Sequence, residues 1–244
     1  MTVTGPTPAL AVDGLSKRYG AHSVLADLTL AVPAGEIFGL IGLNGVGKTT
    51  LIKLALDLAR PDQGTVRFFG HDNRDAGSRE AISYLPEVFR PPRLLTGWEF
   101  LSLTLAYFGQ KVDPDGAALV ANGLALDPAL LAHRIGTYSK GTAQKIGLLA
   151  ALLPERPLLI LDEPMSGLDP EARAALKVRL LSETENGRTV FFSSHVLSDV
   201  EEICDRIGVL HDGGMAFVGP VAGFRERHPE ASLERAFLSA IGRL

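Results

Sequence analysis

Short apolar runs, each bounded by turn residues, recur along the chain and predict β-strands. Such runs are continuous enough to be buried in a sheet, and many of them are rich in β-branched residues. They lie at 9–15, 24–32, 35–42, 64–70, 157–164, 188–194, 206–214 and 215–219. The first two are separated by turn signals at Tyr19-Gly20, and Pro33 and Gly35 follow the second.

Helical spacing of apolar residues fills most of the remaining chain. It predicts a helix from Lys48 to Leu58, ended by Arg60-Pro61-Asp62, and helices with proline and glycine breaks from about Arg90 to Leu153. It also predicts a helix over 195–207 and a short amphipathic helix over 232–241. Strands that alternate with helices indicate an α/β fold, with a mostly parallel sheet covered on both faces.

The order of these elements predicts one domain, spanning 1–244, with no internal repeat. A helical subdomain at about 88–153 is inserted into the sheet, and a C-terminal tail occupies about 220–244. Hydrophobic residues make up 46% of the 244 residues, which is enough for a sizeable core.

Charge and cysteine content narrow the class of protein. The formal net charge is −4 and the basic residues are interleaved with acidic ones, so we expect no nucleic-acid partner. The single cysteine, Cys204, excludes a disulfide framework and fits a reducing cytoplasm. The N-terminus lacks the pattern of an export signal, and no apolar run approaches the roughly 18 residues that a spanning helix needs. We expect a soluble protein, or one held at a membrane by a partner.

A glycine-rich loop between a predicted strand and a predicted helix carries the clearest chemistry. GLNGVGKT, starting at Gly42, fits the phosphate-loop pattern G-x-x-x-x-G-K-[ST] without a mismatch. Such a loop aims backbone N–H groups at phosphate oxygens, its lysine reaches the β- and γ-phosphates, and its hydroxyl binds Mg²⁺. The predicted nucleotide-binding residues of the loop are Gly42, Asn44, Gly45, Gly47, Lys48, Thr49 and Thr50. A chance glycine turn is the alternative.

Two further predicted strands end in polar residues. Asp162 and Glu163 end the run LLILDEP, where Asp162 is placed to hold Mg²⁺ and Glu163 to take a proton from an attacking water. His195 follows the run VFFSS and is placed to contact a γ-phosphate or that water. Taken alone, the acids also fit a strand-ending turn, and the histidine a structural role. Their common placement beside a phosphate loop favours catalysis, with Lys48, Glu163 and His195 as the catalytic residues.

The order of these motifs resembles that of the ATP-binding cassette (ABC) ATPases over nearly the whole chain. YSKGTAQK, from Tyr138 to Lys145, looks like the family signature and lies shortly before LLILDEP. SGLD, ending at Asp169, looks like the D-loop, SSH like the switch histidine, and Tyr19 like the aromatic residue that stacks on adenine. The resemblance implies a RecA-like sheet, an antiparallel β subdomain and a helical insert. It also implies ATP and Mg²⁺ as ligands.

The family further implies that two cassettes pair head to tail around two ATP molecules. Ser139 and Gly141 of one copy, with Asp169, would then contact the nucleotide held by the other. The signature departs from the common L-S-G-G-Q at Tyr138, Lys140 and Thr142. Many members also have glutamine where this chain has Glu87. We expect Glu87 to sense the metal, although a solvated loop acid is the alternative.

The tail and the motif YLPE resemble those of bacterial exporter cassettes that pair with a separate transmembrane permease. In the family, the helical insert contacts that permease. Here the candidate docking residues are Arg90, Arg93, Leu94, Leu95 and Trp98, although Leu94, Trp98 and Leu101 also fit the core of the insert. We expect an export ATPase, peripheral on the inner face of the cell membrane and paired with a second copy. The alternatives are a non-transport cassette and a small-molecule phosphotransferase.

Overall fold

Two sheets form the framework of the protein, and their strands follow the apolar runs of the sequence. The computed structural model describes residues 7–243. The first six residues, part of the N-terminus predicted to lack an export signal, and Leu244 at the end of the predicted tail lie outside the described residues.

The larger sheet has six strands in the order β10-β9-β3-β8-β7-β6. All neighbours are parallel except the antiparallel edge pair β9 and β10. Every residue of β3, β7 and β8 is buried, as expected for central strands covered on both faces. The strands are β3 Ile37–Ile41, β6 Ile82–Leu85, β7 Leu158–Asp162, β8 Thr189–Ser194, β9 Arg206–His211 and β10 Gly214–Pro220.

The smaller sheet is antiparallel and has four strands in the order β2-β1-β4-β5. Its strands are β1 Leu10–Tyr19, β2 His22–Val32, β4 Gln63–Phe68 and β5 His71–Asp72. Together with the larger sheet, it gives the mixed architecture that the sequence predicted.

Helices connect and cover the strands. They are α1 Lys48–Ala55, α2 Ala76–Arg79, α3 Gly97–Tyr107, α4 Pro114–Asn122, α5 Lys140–Leu152, α6 Pro170–Glu185, α7 Leu197–Ile203, α8 Val221–Arg227 and α9 Leu233–Ala240. Two short 3-10 turns, Pro128–Ala132 and Ile135–Thr137, precede α5. Between Leu85 and Leu158, a stretch that is described throughout, all the named elements are helical.

The alternation of side chains along the strands divides the core into two clusters. Phe38 and Leu40 of β3 pack with α1 and the smaller sheet, and the Phe38 ring stacks on Phe191 of β8 at 5.7 Å. Ile37 and Ile41 point to the opposite face, where α5, α6, α7 and α9 cover the sheet. Because apolar side chains are buried on both faces of the larger sheet, its strands cannot shift past one another without exposing them. The polar residues at the strand ends therefore keep their relative positions.

Several local predictions differ from the structure. Helix α1 ends at Ala55 rather than Leu58, because Asp57 adopts a left-handed backbone with φ of 58°. Strands β5 and β6 and helices α2, α6 and α8 had no counterpart among the predicted elements. The four-residue β6 is too short to show a period. In α6, Ala172, Leu176 and Leu180 form a buried stripe, but Val178 and Leu181 on the exposed face obscure the helical pattern.

The segment before α3 is hydrogen-bonded to the segment before α5. Ile135 N–H donates to Leu95 O at 2.8 Å, and Gly136 N–H donates to Arg93 O at 2.9 Å. The Tyr138 hydroxyl donates to Leu130 O at 2.6 Å, and burial raises the pKa of this phenol. The start of α3 and the start of α5 are therefore joined by backbone contacts.

Replacing Gly97 should loosen this junction, because an alanine Cβ there would lie 2.8 Å from Tyr138 Oη and 2.9 Å from Leu131 Cα. Such overpacking costs about 1–3 kcal/mol, so we expect Gly97→Ala to lower the free energy of unfolding by that amount in urea. Gly223→Ala is the matched control, because a Cβ in α8 meets nothing within 4 Å. It should be neutral or slightly stabilising. Equal effects of the two changes would contradict the packing at Gly97.

Candidate nucleotide site

A cleft of about 290 Å³ opens beside the phosphate loop. It gathers most of the residues predicted to bind nucleotide, although they are far apart in the sequence. The lining residues are Tyr19, His22, Val24, Asn44, Gly45, Gly47, Lys48, Thr49, Thr50, Glu87 and Glu163. His22 and Val24 were missed, because nothing in the alternation of β2 marks them as facing a ligand.

The phosphate loop has the backbone conformation that its glycines permit. Gly47 caps α1 with φ of 118°, and Gly45 has φ of 80°, a region that other residues resist. An added Cβ at Gly42 would lie 2.7 Å from Leu210 O. The loop therefore packs closely against β9 while the N-terminus of α1 faces the cleft, an arrangement suited to phosphate binding.

Lys48 and His195 hold the Glu163 carboxylate between them. Lys48 Nζ donates to Gly42 O at 2.8 Å and lies 3.3 Å from Glu163 Oε1. Glu163 Oε2 lies 2.7 Å from His195 Nδ1. Lys48 and Glu163 are almost fully buried, whereas the His195 side chain is about half exposed. The three predicted catalytic residues thus form one continuous polar chain, of which Lys48 and Glu163 line the cleft and His195 does not.

Asp162 and Ser193 lie beneath this chain. Ser193 Oγ donates to Asp162 Oδ1 at 2.5 Å and accepts from Glu163 N–H at 2.9 Å. Ser193 was missed, although the sequence could have suggested it, because it lies near the end of a buried strand, as the acidic pair does. One hydroxyl therefore orients the Asp162 carboxylate and holds the backbone of Glu163.

The chemistry of the site fits Mg²⁺. Asp162 is fully buried, and among the described residues its second oxygen, Oδ2, has no hydrogen-bond partner. A buried carboxylate oxygen without a partner is costly unless a cation or donor satisfies it. Thr49 Oγ1 and Glu87 Oε2, 3.5 Å apart, supply two further oxygens at the cleft. Asp162, Thr49 and Glu87 are therefore the residues that would hold the ion, with phosphate and water completing its oxygen ligands.

The negative charge of this region also shows in Tyr84. Burial, followed by the charges of Asp162 and Glu87, raises the pKa of Tyr84 to about 12. Asp162 and Glu87 are thus both close enough to Tyr84 to disfavour its charged form.

Tyr19 lies at the end of β1, on the rim of the cleft, with its side chain about half exposed. Lys17 Nζ lies 5.3 Å from the centre of its ring and also pairs with Asp62 at 3.2 Å. The exposed ring is available for stacking on a flat base.

Ser139, Gly141 and Asp169 do not line this cleft. Ser139 is the N-cap of α5, and its side chain accepts from Thr142 N–H. Asp169 caps α6 by accepting from Ala172 N–H at 2.8 Å, a bond that, more than the nearby Lys145, lowers its pKa. The structure gives two of these residues capping roles, and their predicted contacts with nucleotide stay predictions.

The candidate docking residues of the helical insert differ in their exposure to solvent. Leu101 is fully buried and Trp98 packs partly against the core, whereas Leu94 is 80% exposed. Arg93 Nη2 donates to Gly136 O at 3.3 Å. Leu103 and Tyr107, which the sequence analysis did not single out, are also exposed on α3.

Comparisons with known proteins agree with the geometry. A family profile described as ABC transporter matches residues 25–166. The bacitracin transport ATP-binding protein BcrA of Enterococcus faecalis is 41% identical over 82% of this chain. The Nod factor export ATP-binding protein I of Burkholderia orbicola is 35% identical over 82% of it.

A solved structure, the ATP-binding subunit of an ABC transporter, is 33% identical. It superimposes with a TM-score of 0.88 over 95% of this chain and 99% of its own. The α/β phosphate-loop fold is thereby confirmed. The chain spans 66% of the length of each of the two named relatives and 59% of that of a third.

Replacing Glu87 by glutamine should weaken Mg²⁺ binding, because the change removes one negative charge and one anionic ligand from the cleft. Losing a partner of a metal site commonly costs about 10–100-fold in affinity. We expect Glu87→Gln to shift the Mg²⁺ concentration needed for tight ADP binding upward within that range, as measured by calorimetry. Glu80→Gln, the same change at an exposed position outside the cleft, is the control. An unaltered Mg²⁺ dependence in Glu87→Gln would show that this carboxylate does not sense the metal.

Proposed function

Because the chain belongs to the ABC transporter family of ATP-binding proteins, we propose that its Mg²⁺-dependent ATP hydrolysis drives export through a separate transmembrane permease. The protein would be peripheral on the cytoplasmic face of the cell membrane, held there by the permease. Two relatives whose names refer to bacitracin transport and Nod factor export support transport as the use of the energy.

The observation that carries hydrolysis is the placement of Glu163 between Lys48 and His195. A carboxylate at the floor of a phosphate-binding cleft can accept a proton from water, a task that a phosphotransferase does not require. Lys48 already reaches Glu163 Oε1 and lies in the loop that would hold the phosphates. When bound, Mg²⁺ would neutralise charge on the phosphate oxygens.

The roles of the individual side chains follow from their contacts. Lys48 would turn from Glu163 towards the β- and γ-phosphates, which would free Oε1 to accept the proton of the attacking water. His195, on Oε2, would hold the carboxylate in place and face the γ-phosphate from the half-exposed side. Ser193 keeps Asp162 oriented towards the metal through the short bond at Oδ1.

A second copy of the chain would complete the site. Ser139 is exposed at the N-terminus of the 13-residue helix α5, and this end of a helix favours an anion. Gly141 follows in the first turn, and Asp169 lies nearby at the start of α6, where Lys145 Nζ is 3.5 Å from its carboxylate. These groups do not line the cleft of their own chain, and head-to-tail pairing would bring them to the partner's nucleotide.

Replacing Glu163 by glutamine should separate binding from hydrolysis. The amide preserves the shape but cannot take a proton, and loss of such a group commonly lowers the rate by about 10²–10⁴-fold. We expect Glu163→Gln to bind ATP, to release phosphate very slowly and to accumulate as a dimer in MgATP, as seen by sedimentation.

Glu185→Gln, an exposed change at the end of α6, should behave as the wild type in the same assays. If Glu163→Gln hydrolysed ATP at the wild-type rate, Glu163 would not be the general base.

The outer face of α3 is the proposed permease-docking surface. We call Leu95, Trp98, Leu103 and Tyr107 the α3 face. Leu95, Trp98 and Leu103 line a shallow apolar depression of about 490 Å³, and Tyr107 borders a second one of about 450 Å³ with Arg79 and Arg156. Leu103 and Tyr107 are one helical turn apart, and both are largely exposed. Exposed aromatic and arginine residues of this kind are enriched at protein interfaces.

Introducing negative charge on the α3 face should abolish binding to the permease. We expect tagged protein, purified from its own cells in mild detergent, to bring down a polytopic membrane protein, and the double variant Leu103→Glu, Tyr107→Glu to lose it. Leu119→Glu, at a position on α4 that is 73% exposed, should retain it. If only ribosomes, DNA or soluble proteins were recovered, the assignment as an ATPase would stand but the role in transport would be contradicted.

A further inference from the structure

The hydroxyl of Thr142, at the fifth place of the signature where the common pattern has glutamine, lies beside the signature serine, Ser139. Ser139 Oγ lies 2.8 Å from Thr142 Oγ1 and accepts from Thr142 N–H at 3.1 Å. We propose that Thr142 is a positioning residue that directs the Ser139 proton outward, towards the γ-phosphate held by a second copy of the chain. The inference rests on the proposed function, in which Ser139 acts on the partner's nucleotide.

The hydrogen-bonding capacity of a hydroxyl carries the argument. A serine hydroxyl has one proton to donate and two lone pairs that accept. The Thr142 N–H occupies one lone pair, and the Thr142 hydroxyl, when it donates, occupies the other. Within the part of the chain that the structure describes, Ser139 Oγ has no other hydrogen-bond partner. Its own proton is then left for an acceptor outside the chain.

A phosphate fixes the direction of the bond between the two hydroxyls. Phosphate oxygens accept hydrogen bonds, so a phosphate facing Ser139 favours the arrangement in which Ser139 donates outward and Thr142 donates to Ser139. A hydroxyl that accepts while it donates forms a stronger bond, because the two bonds polarise one another. Thr142 is less exposed than Ser139, so of the two hydroxyls that of Ser139 is the more accessible to a phosphate outside the chain.

The other two departures from the common signature lie elsewhere. The Tyr138 hydroxyl is occupied by Leu130 O within the insert. The Lys140 side chain passes Gly167 of the D-loop, where an added Cβ would lie 3.3 Å from Lys140 Cε. Among the three substituted positions, Thr142 is the one whose side chain bonds to the signature serine.

A double-mutant cycle tests this relay, in which Thr142 donates to Ser139 and Ser139 donates to the phosphate. The four forms are the unchanged chain, Ser139→Ala, Thr142→Val and the double variant, all in a Glu163→Gln background so that ATP is not consumed. The measurement is the dimer dissociation constant in saturating MgATP, from sedimentation over a range of protein concentrations.

Loss of a hydrogen bond to a charged group predicts a weakening of about 10–100-fold per site for Ser139→Ala. Thr142→Val, which keeps the shape and removes the hydroxyl, should weaken dimerisation by about 3–10-fold per site. Thr142→Ser should restore it. The double variant should match Ser139→Ala, because Thr142 acts through that serine.

Each outcome separates the possible roles. If Thr142→Val weakens the dimer by the same factor with and without Ser139, its role is structural and the proposal is overturned. If Thr142→Val leaves the dimer unchanged while Ser139→Ala weakens it, the relay fails but the shared site stands. If Ser139→Ala has no effect, both the relay and the shared-site part of the proposed function fail. MgATP affinity of the monomer should stay constant throughout, because neither residue lines its own cleft.

Discussion

The parallel pairing of β3, β7 and β8 is the constraint on which the site depends. Register pairs Ile41 with Ser194 and Asp162 with Ser193, so the three strands end side by side. Each strand is followed by a segment that the sequence predicts to be functional: the phosphate loop after β3, Glu163 after β7, and His195 after β8. Because all three strands are buried on both faces, a shift of one strand by a single residue would turn its apolar side chains to the wrong cluster. The packing of the core therefore fixes the positions of the polar groups.

The charged side chains of the site have only some of the hydrogen-bond and ion-pair partners that buried charges need. Glu163 has Lys48 and His195 as partners, and its backbone φ of 51° is unusual for a residue other than glycine. Asp162 has Ser193 on one oxygen and, among the described residues, nothing on the other. A buried carboxylate oxygen without a partner costs stability. Under the proposed function, Mg²⁺ would satisfy Asp162 Oδ2 and nucleotide phosphate would complete the ligands of the ion, so the two would bind in mutual dependence.

Much of this arrangement could be predicted from the sequence, because motifs at strand ends combine a local pattern with a known direction. The runs around Ile37, Leu158 and Val190 have apolar centres, and parallel strands place their carboxyl ends at one edge. Contacts between residues that are distant in the chain could not be predicted in this way. The sequence marks Ser193 as a strand-end residue but does not show its bond to Asp162, and nothing in the pattern pairs Ile135 with Leu95. Helix α6 was overlooked because apolar residues such as Val178 and Leu181 lie on its exposed face as well as on its buried stripe, which hides the helical period.

The imperfect signature illustrates how tertiary contacts decide the meaning of a substitution. From the sequence, Tyr138, Lys140 and Thr142 are three equal departures from a common pattern. In the structure they belong to different neighbourhoods, since Tyr138 contacts the insert, Lys140 the D-loop and Thr142 the serine itself. Tyr138 also lies beside Gly97, the first residue of α3. The start of α3 is thus in direct contact with the residue that precedes the signature serine. The substituted signature is therefore integrated with its surroundings, and Ser139 retains a defined position at the N-terminus of its helix.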